Sequence, residues 1–243
     1  MAKATEKCIY LTRHAQAEHN VDVDNAVHSV ANDYNIRDAP LTALGRQQSA
    51  ALHEATKDNI QWTAELLVSS ALRRPLSTTV IGYPELRKRL EAEGKNVVVL
   101  PQLQECNDLP CDTGLPREQL EADPEYAGLD FSLLTPDWMS KRGFYACDMS
   151  ALEARARWNR KWLRSRPEKE IVVVAHGDLL RYITEGYNSH RMWENAEVRA
   201  YTFLREEEED EDGEAWLVPL PGNPVAMEGS ASPTSSEIGL PLV

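Results

Sequence analysis

The sequence predicts an α/β fold with a mainly parallel central sheet and helices on both of its faces. Three observations carry that expectation. Short apolar runs alternate with segments of helical period, the pattern of strand–helix–strand units. The run Ile171–Ala175 (IVVVA) is continuously apolar, as a strand covered on both faces must be. Arg199–Leu204 and Ala215–Pro219 read as a terminal hairpin joined by an acidic connection.

Cys8–Thr12 (CIYLT) is the first expected strand, ending at Arg13-His14. Thr42 follows Pro40-Leu41 as an N-cap, and Leu44, Gln48, Ala51, Leu52 and Ala55 then recur at helical spacing. Glu65–Ser69 (ELLVS) is a second strand, leading through Ser70-Ala71-Leu72-Arg73-Arg74 into a helix to about Ile81. Val97–Leu100 is a third strand, closed by Pro101. From Gln102 to Cys147 no period holds, and this stretch reads as a lid or insertion with one or two short helices. Within it, Trp138, Lys141 and Arg142 either touch a ligand or, for Trp138, pack. Ser150–Arg166 is an amphipathic helix with Leu152, Ala156 and Trp162 among its apolar positions and arginines on the other side. Trp158 and Trp162, four apart, are expected in its core face. His176-Gly177-Asp178 opens a last helix through Leu180 and Ile183.

The chain is expected to form one domain over 1–220, with the lid at about 102–147 and an acidic hairpin loop at 206–214. A flexible Gly-, Ser- and Pro-rich tail at 221–243 follows. Of the net charge of −13, eight acids lie in 206–214, so the remainder stands at a mild −5. That balance argues against nucleic acid, whose phosphates need clustered cations. The acidic run is read as solvated. No apolar stretch approaches the ~18 residues of a membrane span, and no secretory h-region opens the chain. Four scattered cysteines in such a chain are expected as free thiols, and the expected location is cytoplasmic. Cys106 and Cys111 have no partner Cys or His block at ligand spacing, so no metal and no cofactor are expected.

Ligands of parallel sheets bind at the carboxyl ends of the strands. Arg13-His14, Ser69–Arg74, Gln104-Glu105 and His176 each follow a predicted strand. Arg13 and one of Arg73-Arg74 can fork onto phosphate oxygens. A neutral histidine is a competent nucleophile, a second can donate to the equatorial oxygens, and Glu105 can protonate a leaving oxygen. The chemistry of this set is phosphoryl transfer without metal.

The segment Leu11–Asn20 (LTRHAQAEHN) resembles the signature of the histidine phosphatase superfamily, in its phosphoglycerate-mutase-like branch, with Asn20 six positions after His14. Asp38–Gly45, Ser69–Thr79, Leu103-Gln104-Glu105 and Val172–Gly177 resemble its further blocks in order. Pro110-Cys111-Asp112 and Asp130-Phe131-Ser132 are shared with plant and fungal mutase-like members. The resemblance implies a three-layer α/β/α sandwich and a phosphohistidine intermediate. It implies His14 as nucleophile, Glu105 as proton donor and His176 as a phosphate-binding catalytic partner. Arg13, Asn20, Arg74 and Gly177 become the substrate-binding residues, with Arg74 favoured over Arg73. Glycolytic mutases follow the Glu with Arg-His-Tyr-Gly; here Cys106–Pro110 brings no base, and Asp108 and Asp112 would repel a second anion. The expected activity is hydrolysis of a small phosphomonoester. A mutase or a silent binding protein of the same fold are the alternatives, the second disfavoured by the intact His14, Arg74, Glu105 and His176.

Overall fold

A computed structural model describes residues 4–20, 34–205 and 213–221. Six strands form one sheet: β1 (Cys8–Arg13), β2 (Leu66–Ser70), β3 (Val98–Leu100), β4 (Glu170–Ala175), β5 (Val198–Phe203) and β6 (Leu217–Pro219). They fall within one or two residues of the apolar runs that predict them. Their order across the sheet is β3-β2-β4-β1-β5-β6. The first four in sequence pair with one another in parallel, while β5 is antiparallel to β1 and β6 to β5. Arg13 is level with Ala175, Ser69 with Val174 and Ser70 with Leu100. The carboxyl ends of β1 to β4 therefore lie at one edge, and the residues that follow them meet there.

Val172 and Val174 of β4 pack into one apolar cluster, and Ile171, Val173 and Ala175 into another. The first holds α1 (Ala43–Thr56), α3 (Arg73–Gly82) and α4 (Pro84–Ala92); the second holds α6 (Met149–Ser165) and α7 (Gly177–Glu185). This is the three-layer sandwich. The alternation of side chains along a strand sends successive valines to opposite layers, so a central strand must be apolar throughout. Two shorter helices, α2 (Ile60–Thr63) and α5 (Arg117–Ala122), complete the set, α5 within the insertion. The rest of that insertion is irregular apart from 3-10 turns, among them Pro110–Asp112 and Gly143–Tyr145.

Helix α1 begins as expected, Thr42 accepting from the backbone of Gly45 at 2.9 Å. Its inward face is not the expected one. Leu44 and Ala51 are exposed, and Gly45, Ser49, Leu52 and Thr56 are buried. A Cβ on Gly45 would stand 2.0 Å from the carbonyl oxygen of Gln16. At Gly45 the helix lies so close to the segment after β1 that no side chain fits between them, and one turn on Ser49 and Leu52 face Gly82 of α3. Ser49 and Thr56 return their hydroxyls to the carbonyls of Gly45 and Leu52.

Helix α6 departs in a similar way. Arg155 and Arg160 lie on its buried face rather than opposite it. Arg160 donates to the carboxylate and the carbonyl of Glu214, each at 2.9 Å, and stacks over the Trp216 ring. Glu214, the last acid of the run read as solvated, is therefore a buried residue. Glu206–Asp212 and the tail from residue 222 lie outside the described residues. Trp158 and Trp162 are half-buried, not core; their rings stack on each other at 6.3 Å along the edge of the second cluster. Trp138 packs: it is 1 % exposed, and a Cβ on Gly114 would meet its ring at 2.0 Å. All four cysteines are free thiols. Among the described residues no helix is long and apolar enough to cross a membrane.

Candidate active site

His14 leaves the end of β1 still paired, its N–H donating to Ala175 at 2.9 Å. Its carbonyl accepts from the Asn195 side chain at 3.2 Å and the Ala196 N–H at 3.3 Å. The ring Nδ1 lies 2.7 Å from the Ala15 carbonyl, which can only accept. That fixes the proton on Nδ1 and leaves the Nε2 lone pair free. Nε2 in turn accepts from Nε of Arg74 at 3.1 Å. Burial, then the charges of Arg74 and Arg13, hold the imidazole well below the usual histidine range. His14 is thus a neutral ring of defined tautomer with Nε2 aimed at a guanidinium.

Arg74 occupies the second position of α3, and it rather than Arg73 reaches the site. Arg73 is engaged elsewhere: its N–H and its guanidinium donate to the side chain and carbonyl of Asp38, at 2.8 and 2.9 Å. Asp38 so caps α3 from a distant segment, since Leu72 offers no capping side chain. Arg74 is wholly buried. Besides His14 it donates to the Cys111 carbonyl at 2.7 Å and to the Asp112 carboxylate at 2.6 Å.

His176 caps α7 and is also wholly buried, its ring centroid 5.1 Å from that of His14. Its Nε2 meets the Ser70 hydroxyl at 2.9 Å, while Nδ1 has no hydrogen-bond partner. Burial first, then Arg74, keeps it well below the usual range and neutral. Glu105 follows β3 through a 3-10 turn, Pro101–Leu103. Its Oε1 accepts from the N–H of Cys106 at 2.9 Å and of Leu179, in the first turn of α7, at 3.2 Å. Burial, reinforced by the charges of Asp178 and Asp112, pushes its carboxyl up to about 7. Lys141 and the buried Arg155 brace its backbone, donating to the Glu105 carbonyl at 3.4 and 3.3 Å. Arg142, beside Lys141 in the lid, is exposed.

A cavity of about 190 Å³ opens over these groups, walled by Arg13, His14, Asn20, Glu105 and Gly177 among others. Arg74 and His176 lie just under its floor. Arg13 donates to the Trp193 carbonyl at 2.5 Å. A Cβ on Gly177 would come 3.3 Å from its Nε. Every site residue named from the sequence is therefore gathered at one place. Among the residues of the same wall that the sequence reading did not single out are His19, Asp178, Arg181 and Trp193. Arg181 is ion-paired with Asp178. His19 lies six places from Arg13 beside Asn20, and that adjacency was the only sequence signal for any of the four.

His19, Cys111 and Asp112 bring one possible metal ligand each within 4.8 Å of one another. The surrounding charge works against a dication there. Arg74 already holds Asp112, and the positive charges of Arg74 and Arg13 both act on His19. As a whole, the site offers an unprotonated ring nitrogen, two guanidiniums and a carboxyl that titrates near neutrality.

A family model described as histidine phosphatase superfamily (branch 1) matches residues 9–216. A probable phosphatase of Schizosaccharomyces pombe is 31 % identical over 179 residues, covering 72 % of this chain and 76 % of that protein. Phosphoglycerate mutase-like protein 1 of Arabidopsis thaliana is 29 % identical over 202 residues, covering 72 % and 69 %. In fold the chain is similar to the phosphoserine phosphatase of Entamoeba histolytica, with a TM-score of 0.51 and 16 % identity over 91 % of this chain and 98 % of that one.

Proposed function

The chain belongs to the histidine phosphatase superfamily, branch 1, and on that premise we propose that it is a metal-independent hydrolase of small phosphomonoesters working through a phosphohistidine. The observation that carries the reading is the pairing of a neutral His14, its Nε2 lone pair directed by Ala15 and Arg74, with a Glu105 carboxyl held near 7 in the same cavity wall.

In the first step His14 Nε2 attacks phosphorus, and the ester oxygen leaves with the Glu105 proton. Arg13, Arg74 and His176 stabilise charge on the equatorial oxygens, and Asn20 and the Gly177 backbone complete the pocket. In the second step Glu105 takes a proton from water, whose oxygen attacks the phosphohistidine. Inorganic phosphate leaves and the ring is restored. Arginines supply the positive charge, so the reaction needs no metal. The name of the fission-yeast relative points the same way.

A mutase must also hold a second anion on its substrate. Asp112 and Asp178 in the cavity wall already engage Arg74 and Arg181, which leaves little unpaired positive charge for it and favours water as acceptor.

The test is direct. Wild-type protein denatured in base during turnover of a labelled phosphomonoester should carry acid-labile, base-stable phosphate on His14. His14→Ala should lose both label and turnover, and wild-type activity should persist in excess chelator. Turnover surviving in His14→Ala, or lost to chelator and restored by a divalent ion, rules the mechanism out.

A further inference from the structure

All three nitrogens of the Arg74 guanidinium already donate to its own chain, which uses three of its five N–H groups. Nε donates to His14, and the two terminal nitrogens to the Cys111 carbonyl and the Asp112 carboxylate at 2.7 and 2.6 Å. The Asp112 contact is an ion pair with side chains 0 % and 5 % exposed. Asp112 cannot drift away, because its segment is tied down on both sides. Before it, Cys111 donates its N–H to the Tyr34 carbonyl and Pro110 accepts from the Asp38 N–H, each at 3.1 Å; after it, the Gly114 carbonyl accepts from the Arg37 guanidinium at 2.8 and 3.0 Å. Asp112 also walls the cavity beside His14 and Glu105. A fixed carboxylate therefore stands next to the place a phosphoryl group takes on His14, bonded to the cation that must receive it.

We propose that Asp112 is an internal competitor for phosphate at Arg74, a residue that weakens the hold on product phosphate and so promotes its release. Two effects act together. Phosphate must share the Arg74 guanidinium with Asp112 or displace it, and it must approach a like charge that is only 5 % exposed and so poorly screened by bulk water. When phosphate departs, Arg74 has an anion to return to, so the buried guanidinium never stands uncompensated. A mere strut would act in the opposite sense: without it Arg74 would loosen and phosphate would bind less well.

The inference rests on the reading of His14 and Arg74 as the phosphoryl site, but its test needs no turnover. Inorganic phosphate is titrated calorimetrically into wild type, Asp112→Asn and Asp112→Ala, with folding checked by thermal melting. Phosphate should bind about tenfold more tightly to both variants, the scale of one charge-assisted hydrogen bond. Adding Arg74→Ala should erase that gain. In hydrolysis of p-nitrophenyl phosphate, the inhibition constant for phosphate should fall in parallel. Folded variants that bind phosphate equally or more weakly overturn the proposal. Should neither variant fold, a crystal structure of the wild type with phosphate decides. Arg74 turned from Asp112 to the phosphate supports the competitor, and an unchanged 2.6 Å pair with phosphate elsewhere refutes it. Tighter binding without any hydrolase activity would leave Asp112 as the competitor and remove only the hydrolase reading.

Discussion

Gly177 touches Arg13 so closely that a single added methyl would stand 3.3 Å from the guanidinium Nε. The contact joins the ends of two adjacent strands, β1 and β4, and sets how deeply Arg13 lies in the cavity wall. Gly177 has no positive φ to require glycine, so its smallness acts through this approach.

Gly177→Ala should therefore lower kcat/KM by about ten- to hundredfold, the scale expected when a binding group is misplaced by a fraction of an ångström to an ångström. Its melting temperature should change little, because the methyl meets a side chain that can shift and no backbone. Kinetics within a factor of two of wild type would show that Arg13 does not need its present position.

Glu105 makes the pH dependence specific. An acid whose folded value is raised to about 7 is protonated below that pH and loses its proton above it. Hydrolysis of alkyl phosphates should then fall as pH rises through about 7, while p-nitrophenyl phosphate, whose leaving group needs no proton, should fall much less. Glu105→Gln should slow alkyl esters by roughly 10²–10⁴ and largely remove the alkaline limb. His14 sits well below its ordinary range, so it adds no ionisation at neutral pH. Equal losses for both ester types in Glu105→Gln would point to another acid, with Asp178 of the cavity wall the nearest candidate.

Glu214→Ala should destabilise the protein by about 3 kcal/mol, since it takes the carboxylate from a guanidinium that is 2 % exposed. Urea denaturation of the two proteins measures this. A loss under about 1 kcal/mol would mean that the carbonyls of Glu214, Tyr182 and Ile183 suffice for Arg160. Removal of Glu206–Asp212 alone, with Glu214 kept, should leave stability and phosphatase kinetics nearly unchanged.

The strands and the residues that follow them were legible because each depends on a short stretch of sequence. Five apolar residues in a row state that β4 is central, and a parallel sheet then brings His14, Arg74, Glu105 and His176 to one edge. Contacts set by approach between distant segments were not legible. The inward face of α1 follows from the nearness of Gln16, which no helical period encodes. Arg155 and Arg160 are buried because carbonyls and a carboxylate some fifty residues away receive them. Asp112 was visible as an acid near the site, but its pairing with Arg74 depends on the path of an insertion without period.

The strand order has a consequence for how the chain comes into being. β1 is made first, yet both its neighbours in the sheet, β4 and β5, come from the last third of the chain. At ordinary rates of synthesis the strand that leads into His14 waits roughly ten to thirty seconds on the ribosome without a partner. Local helices such as α1 and α3 can form meanwhile, but the sheet centre cannot close until Glu170–Ala175 emerges. Nascent chains stalled before residue 170 should therefore be cut readily by protease near Cys8–Arg13, and chains released after residue 221 should resist. Early protection would mean that β1 first pairs elsewhere and later exchanges. The candidate site is thus completed late and all at once, so truncated products carry His14 without the His176 that stands beside it.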